Sequence, residues 1–445
     1  MRARTLSSLQ VLAGLLAWSA PASAFDAATT HAGLTERAVA ASSLPRRLNA
    51  LFTWGTRRIH GLYETLQLAN GDPRSAELGD RLERLDPAGG VRPEGGRLTA
   101  LGWLVAGSVL EEVPPSRARN HFIDPQSGAG LDLSGAGSLV ARIGSPGVRS
   151  GAPSTAWLLS PDNDLSVLRF LELRERALVS PDPAVRDAAA AEALLAAGAL
   201  LHVVEDGAHP AYVHNDFNAD LHGADAPFSR YVAARYGRLA VPRPRGPAEP
   251  LVHLADVLHN DAHTGLADRT AVRFFSVGSL AARAGQGGSG AVFPPSMPAL
   301  STGPSPEGYL EDAAHRRIAH YYQGVDGVRW DLDANCYQDA AAVLLPEAGQ
   351  AALSALEHLF RGDLAFEGSV VTNGGLPLGA GRLHVLVEEA DGKRRELAAT
   401  EVTSAAAGGT LGSLPPEAEG QRVVVVYRGV DGAGEPVVLA GERSP

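Results

Sequence analysis

The sequence predicts a mainly α protein, a multi-helix domain followed by a small all-β sandwich. Two observations carry this. From about position 25 to 360, apolar residues recur at helical spacing between Gly/Pro-rich stretches. After Arg361-Gly362 the spacing changes to strand-like alternation, with frequent turn residues. The expected division is 1–24 as a signal peptide, 25–362 as the helical unit and 363–445 as an immunoglobulin-like β-sandwich.

The elements follow in order. Arg2 and Arg4 precede an apolar stretch, Val11 to Trp18, and an A-x-A cleavage site at Ala22-Ser23-Ala24. Cleavage there makes Phe25 the first mature residue and a secreted or periplasmic location the expectation. No later run reads as long and apolar enough for a membrane span, which takes roughly 20 residues. Thr30 is placed to cap a first helix ending at Ala41. Helices are expected over 48–68, carrying Trp54, His60 and Tyr63, and over 97–110. A Gly/Ser-rich surface loop covers 128–154, and helical spacing resumes over 165–178. Asp182-Pro183 pairs a capping side chain with a first-turn proline and opens a helix running to Asp206. Later helices are expected over 251–256, 267–283, 308–322 and 335–360. In the β region, LHVLVEEADGKRREL alternates around Asp391-Gly392, a hairpin signal, and RVVVVYRGVDGAGEPVVLAG reads as a second hairpin. No His, Asp and Glu cluster lies there, so that region reads as a targeting, adhesion or stabilising module.

Charge and cysteine content narrow the class. The formal charge is −11, and residues 1–24 hold two arginines and no acid, so the mature chain is more acidic still. Phosphate contacts along a nucleic acid need a basic surface, so no stable nucleic-acid partner is expected. The single cysteine, Cys336, excludes an intrachain disulfide and reads as a small buried hydrophobe. Gly285 to Gly290 matches G-x-G-x-x-G, but it follows a helix and runs into Ala-Val-Phe-Pro-Pro, which cannot open a phosphate-binding helix. No H-E-x-x-H, G-x-S-x-G or P-loop is present.

The chemistry-bearing residues concentrate elsewhere. In LLHVVEDGAHPAYVHNDF, His202 and Asp206 stand four apart and so share one helix face. An imidazole and a carboxylate projecting together suit a zinc-type cation. The apolar run ALLAAGALL buries that helix, and a buried polar pair needs partners. His31 lies six residues after the expected mature start. His121 falls in NHFIDP, and Glu111 and Glu112 end the helix before it.

In these residues the chain resembles the zinc-dependent phospholipases C of bacteria and the related fungal single-strand nucleases. The matching pieces are His31, Glu112, the H-F-x-D-P loop from His121 to Pro125, and His202 with Asp206 and Pro210. Arg273 to Ser276 adds weaker support. The resemblance covers about 25 to 360 and implies a zinc phospholipase C-like helical domain. It further implies two close zinc ions held by Phe25, His31, Glu112, His121, His202 and Asp206. Phe25 would contribute its amine and carbonyl, and Asp206 would bridge the ions. Glu112 stands where the family has Asp, as a ligand or a base, and Glu112 and Asp206 are the expected catalytic residues. The third site of the family is incomplete: Tyr212 replaces a His, and the Glu expected near Ala226 or Ser229 is missing. His209, Tyr212, His214 and His222 are the candidates for a rebuilt third site or for substrate contacts.

Two zinc ions clamp a phosphodiester and lower the pKa of a bound water towards about 7. The implied function is a secreted zinc phosphodiesterase acting on a phospholipid headgroup or small phosphodiester, with a target's membrane surface as a further candidate partner. The alternatives are a single-strand nuclease on the same scaffold and a catalytically impaired metal-binding or adhesion protein.

Overall fold

The computed structural model describes residues 25–51, 61–85, 93–132, 150–216, 227–283, 305–325 and 327–445. The expected cleavage site, Trp54, His60, His222 and the Gly285 to Gly290 motif lie outside them. Among the described residues the chain forms helices α1 (Ala32–Ala41), α2 (Leu44–Leu51), α3 (Pro73–Glu83), α4 (Ala100–Leu110), α5 (Ser154–Leu159), α6 (Val167–Val179), α7 (Pro183–Asp206), α8 (Pro210–Val213), α9 (Pro227–Arg235), α10 (Leu266–Arg273), α11 (Val277–Arg283) and α12 (Ala334–Leu359). The strands are β1 (Thr65–Gln67), β2 (Arg97–Thr99), β3 (Glu307–Glu311), β4 (Arg317–Gly324), β5 (Gly327–Asp331), β6 (Leu364–Glu367), β7 (Val370–Asn373), β8 (Leu378–Glu388), β9 (Arg394–Val402), β10 (Thr410–Ser413), β11 (Arg422–Asp431) and β12 (Pro436–Arg443). The protein is therefore mainly helical with antiparallel sheets, as its sequence predicts.

Helix α7 is the axis of the helical body. The Asp182 carboxylate accepts the Ala184 N–H at 2.8 Å, and Pro183 opens the first turn. Alanine, which has no side-chain entropy to lose, and leucine, which loses little, then propagate the helix. Residues 188–206 are buried all round. By length and composition this helix passes as a membrane span, contrary to the sequence reading, but 94% of its most apolar window is buried inside the protein. It is a core helix.

Its closest neighbour is α4, capped by Thr99, whose hydroxyl accepts from Gly102 N at 3.0 Å. The two helices cross on paired glycines. A Cβ on Gly107 would fall 1.9 Å from Leu195 O, and one on Gly198 would fall 1.8 Å from Leu104 O. Only hydrogen side chains permit that approach.

Several sequence expectations change. The first helix is preceded by a π-turn, Ala27–His31, capped by the Asp26 carboxylate rather than by Thr30. Of the helix expected over 48–68, the described residues up to Leu51 are helical, whereas Thr65–Gln67 is a strand paired with Arg97–Thr99. Residues 267–283 form two helices, broken at Phe274, whose backbone is extended. The helix expected over 308–322 is a meander, β3-β4-β5. Its Tyr309, Ile318, Tyr321 and Trp330 suit a pleated surface, and cross-strand pairing such as Tyr321 opposite Trp330 outweighs the local helical pattern.

After α12 the strands form a three-stranded sheet, β10-β7-β6, and a four-stranded sheet, β12-β11-β8-β9. Val423, Val425 and Tyr427 of β11 pack into the core shared by the two sheets. Val424 and Val426 of the same strand join the core of the helical body. Burial on both faces explains the unbroken VVVVY run. Arg361 reaches Asp431 at 2.9 Å, while Glu435 pairs with His358 and accepts Leu254 N at 2.9 Å, so charged contacts also cross this boundary.

The helix crossing gives a stability prediction. Gly107→Ala and Gly198→Ala should each lower the free energy of unfolding by about 1–3 kcal/mol through overpacking. Gly79→Ala on α3, where a Cβ meets nothing within 4 Å, should be neutral or stabilising. Urea midpoints compare them, and a neutral Gly198→Ala would show that the crossing is loose.

Candidate metal centre

Four segments deliver the site. The π-turn at the start of α1 carries His31, and Thr35 stands one turn on. The end of α4 and the turn after it bring the Ser108 carbonyl, Glu111 and Glu112. His121 follows a 3₁₀ turn, Pro115–Asn120. The last turn of α7 presents His202, Glu205 and Asp206.

Asp206 is the hub. Its Oδ2 lies 2.7 Å from His121 Nδ1 and 3.3 Å from His202 Nε2, and its Oδ1 lies 3.2 Å from His31 Nε2. The His31 and His202 rings stack with centroids 3.7 Å apart. All four residues are at most 1% exposed. Each imidazole is oriented from behind. His202 Nδ1–H donates to Ser108 O at 2.5 Å, which turns Nε2 towards Asp206. His31 Nδ1–H donates to Glu205 at 2.7 Å, and Thr35 donates to the other oxygen of that carboxylate at 3.1 Å. His121 faces carboxylates on both sides, with Nε2 3.3 Å from Glu111. Arg117 and Trp157 donate to Glu111 at 2.7 and 3.0 Å.

The residues fit a cation. Within this group three buried atoms make no well-aligned hydrogen bond: His31 Nε2, His202 Nε2 and Asp206 Oδ1. Buried polar atoms are rarely left so. His31, His202 and Asp206 offer ligand atoms that all lie within 4.8 Å of one another. Two imidazoles and a carboxylate, each imidazole held by a carbonyl or carboxylate on its other nitrogen, match the donor set and outer shell of a zinc site.

Without a cation, protons hold the charges together. Burial alone would lower the His31 and His121 values. Asp206 with Glu205, and Asp206 with Glu111, outweigh it and raise them from 6.5 to about 10 and about 9. Burial alone would raise Asp206, but the three imidazoles hold it well below the usual carboxylate range. Burial likewise opposes ionisation of Glu111, yet Arg117 and His121 bring it down to about 2. At Glu205 burial wins and the value rises.

The structure brings His31, His121, His202, Asp206 and Glu112 into one neighbourhood. Glu112 stands at its edge, 3.8 Å from His202 Nε2 and 7% exposed. Glu111 makes the closer contact to His121. Phe25 is buried with its ring edge-on to His31 and His209. The candidates for a third site are placed differently. His209 accepts from Ala211 N at Nδ1 and meets Ser229 Oγ at Nε2, so both ring nitrogens are engaged, and burial lowers its pKa to about 3. The Tyr212 ring stacks on Phe122 at 4.1 Å. His214 Nε2–H donates to Phe274 O at 2.9 Å. Glu205, Ser108, Thr35, Arg117 and Trp157 were not singled out from the sequence. Glu205 had a readable signal, an acid on a helix buried all round; the others become visible only when the segments meet.

No protein-family model and no curated protein matches the chain. Among solved structures, the alpha-toxin from Clostridium absonum is 11% identical over 96% of this chain and 96% of that one, with a TM-score of 0.32. The Clostridium perfringens alpha-toxin isolated from avian strain SWCP is 11% identical over 95% of this chain and 98% of that one, with a TM-score of 0.29. At that degree of superposition the functional reading rests on the site.

The raised histidines predict a pH dependence. A group whose folded value is raised stabilises the fold fully below its unfolded value and loses that contribution as pH rises through the folded value. For His31 and His121 the windows run from 6.5 up to about 10 and about 9. His209 and His214, with lowered values, are neutral in both states above about 7 and add no slope there. The melting temperature of chelator-treated protein should therefore fall between about pH 7 and 10. His31→Gln should flatten that fall, and a melting temperature that rises over the window would exclude the assignment.

Proposed function

We propose that this chain is a secreted zinc-dependent phosphodiester hydrolase of phospholipase C type. The observation that supports this reading is the convergence of three buried ligand atoms that make no well-aligned hydrogen bond, His31 Nε2, His202 Nε2 and Asp206 Oδ1. His31, His202 and Asp206 would hold the first zinc ion. His121, Glu112 and the Phe25 backbone would complete a pair of ions, with residues 1–24 removed and Asp206 shared. When bound, zinc supplies an activated water and a Lewis acid for a phosphoryl oxygen. The chain's own groups supply the rest. Ser108 O and Glu205 fix the imidazole tautomers of His202 and His31. Arg117 and Trp157 hold Glu111 against His121. Glu112, at the least buried edge of the group, would serve as the base that accepts a proton from water where it does not itself ligate an ion. The helical region 25–362 would carry the chemistry and 363–445 would act as an accessory β-sandwich. The substrate class is a phospholipid headgroup or small phosphodiester, because the acidic chain offers long nucleic acids little attraction.

One observation favours a second reading. The ligand side chains are almost fully buried, which is how structural ions are held. A metal-binding protein impaired in catalysis would have the same centre. Metal content and turnover separate the two. Purified mature protein, dialysed to remove loosely held ions, should carry about two zinc ions per chain under the two-metal scheme and hydrolyse phosphatidylcholine in preference to single-stranded DNA. Asp206→Asn should lose about two zinc ions per chain together with the hydrolysis, and should keep any ion held outside the central group. Retained zinc without hydrolysis of either substrate would establish the second reading. Full retention of zinc by Asp206→Asn would show that the cluster is an ion-pair network and holds no metal.

A further inference from the structure

A second cluster stands on the loop before α10, apart from the central group. His259 and His263 both place Nδ1 against the same oxygen of Asp268, at 2.8 and 3.3 Å. The three ligand atoms lie within 4.8 Å of one another. Asp268 is 2% exposed, and its other oxygen accepts the Gly265 N–H at 3.0 Å. The backbone thus orients the carboxylate and leaves one oxygen for the two imidazoles. His263 holds a left-handed backbone, φ 53°, an arrangement that costs a non-glycine residue roughly 1–2 kcal/mol. The loop is also tightly closed: a Cβ on Gly265 would fall 2.2 Å from Leu258 O. These restraints hold both rings over one buried carboxylate.

The separations suit a small cation. Zinc bonds of about 2.0–2.2 Å in tetrahedral geometry put ligand atoms about 3.3 Å apart; the His263–Asp268 separation of 3.3 Å matches this, the His259–Asp268 separation of 2.8 Å falls a little short of it, and the two ring nitrogens lie within 4.8 Å of each other. Two imidazoles with one carboxylate select a zinc-class ion over calcium or magnesium, which prefer all-oxygen sites. The surroundings favour positive charge. The cleft that His259 lines also presents Glu249, Asp256 and Asp261, against Arg269. His263 is exposed and His259 partly so, which leaves room for water to complete the coordination.

We infer that His259, His263 and Asp268 form a solvent-facing binding site for a zinc-class divalent cation, separate from the central group and independent of the proposed hydrolase activity. A cation there ties the loop 259–265 to the first turn of α10. Arg273 of that helix pairs with Glu347 of α12, so the tie reaches the long helix under the sheets.

The test is a zinc titration of the chelator-stripped full-length chain by calorimetry, with cobalt absorption as a second readout. His263→Asn keeps a residue that tolerates the left-handed backbone. It should weaken one ion per chain by about 10–100-fold or more, as should His259→Gln, with unchanged circular dichroism and metal-free melting temperature. The same ion should still bind to Asp206→Asn, whose central group is disabled. An isotherm unaltered by His263→Asn would overturn the inference, and so would loss of this ion in well-folded Asp206→Asn. If the central ions are absent while this one binds, the hydrolase reading fails and the outer site stands.

Discussion

The close crossing of α4 and α7 is the constraint on which the centre depends. Gly107 and Gly198 let the two backbones touch, and that contact sets the height of everything beyond it. Ser108 follows Gly107 directly, and its carbonyl meets His202, one turn beyond Gly198. Glu111 and Glu112 then fall beside the last turn of α7. Wider spacing would leave the His202 ring without its carbonyl and the carboxylates out of reach of the imidazoles.

The crossing also creates an electrostatic problem that the rest of the site answers. Asp206 and Glu205 end a helix buried all round, where an isolated carboxylate is costly. Three imidazoles surround Asp206, and His31 and Thr35 engage Glu205. Behind His121 the compensation continues outward. Arg117 bonds both Glu111 and Asp164, and Asp164 also pairs with Arg81. Charge alternates from the core towards the surface, so each group limits the freedom of the next. What this network does not satisfy is the set of atoms aimed at the centre. That pattern, satisfied outside and unsatisfied inside, is what a cation would complete.

The β region is tied to the helical body by more than its linker. The four-stranded sheet gives one face to its partner sheet and the other to the helical core. Arg394 donates to Leu178 O, and Arg186 donates to Gly392 O. Charged contacts at His358, Arg361, Asp431 and Glu435 fix the end of α12 to the same sheet. The apolar area covered this way contributes to the stability of the helical body, as well as to that of the strands.

Local rules in the sequence determined the parts whose forces are local. Asp182-Pro183 opens α7 where capping chemistry places it, and the spacing of His202 and Asp206 puts them on one face. The change of period after Arg361-Gly362 marks the strands. Those same rules misjudged 308–322, because a strand depends on partners that the local pattern does not contain. They passed over Glu205, since helix spacing shows which residues share a face and not which faces meet. Tertiary packing decided that His31, Glu111, His121 and Asp206 converge and that His209 is engaged at both ring nitrogens. Each of these outcomes depends on contacts between segments far apart in the chain, and their geometry is set by how closely backbones approach.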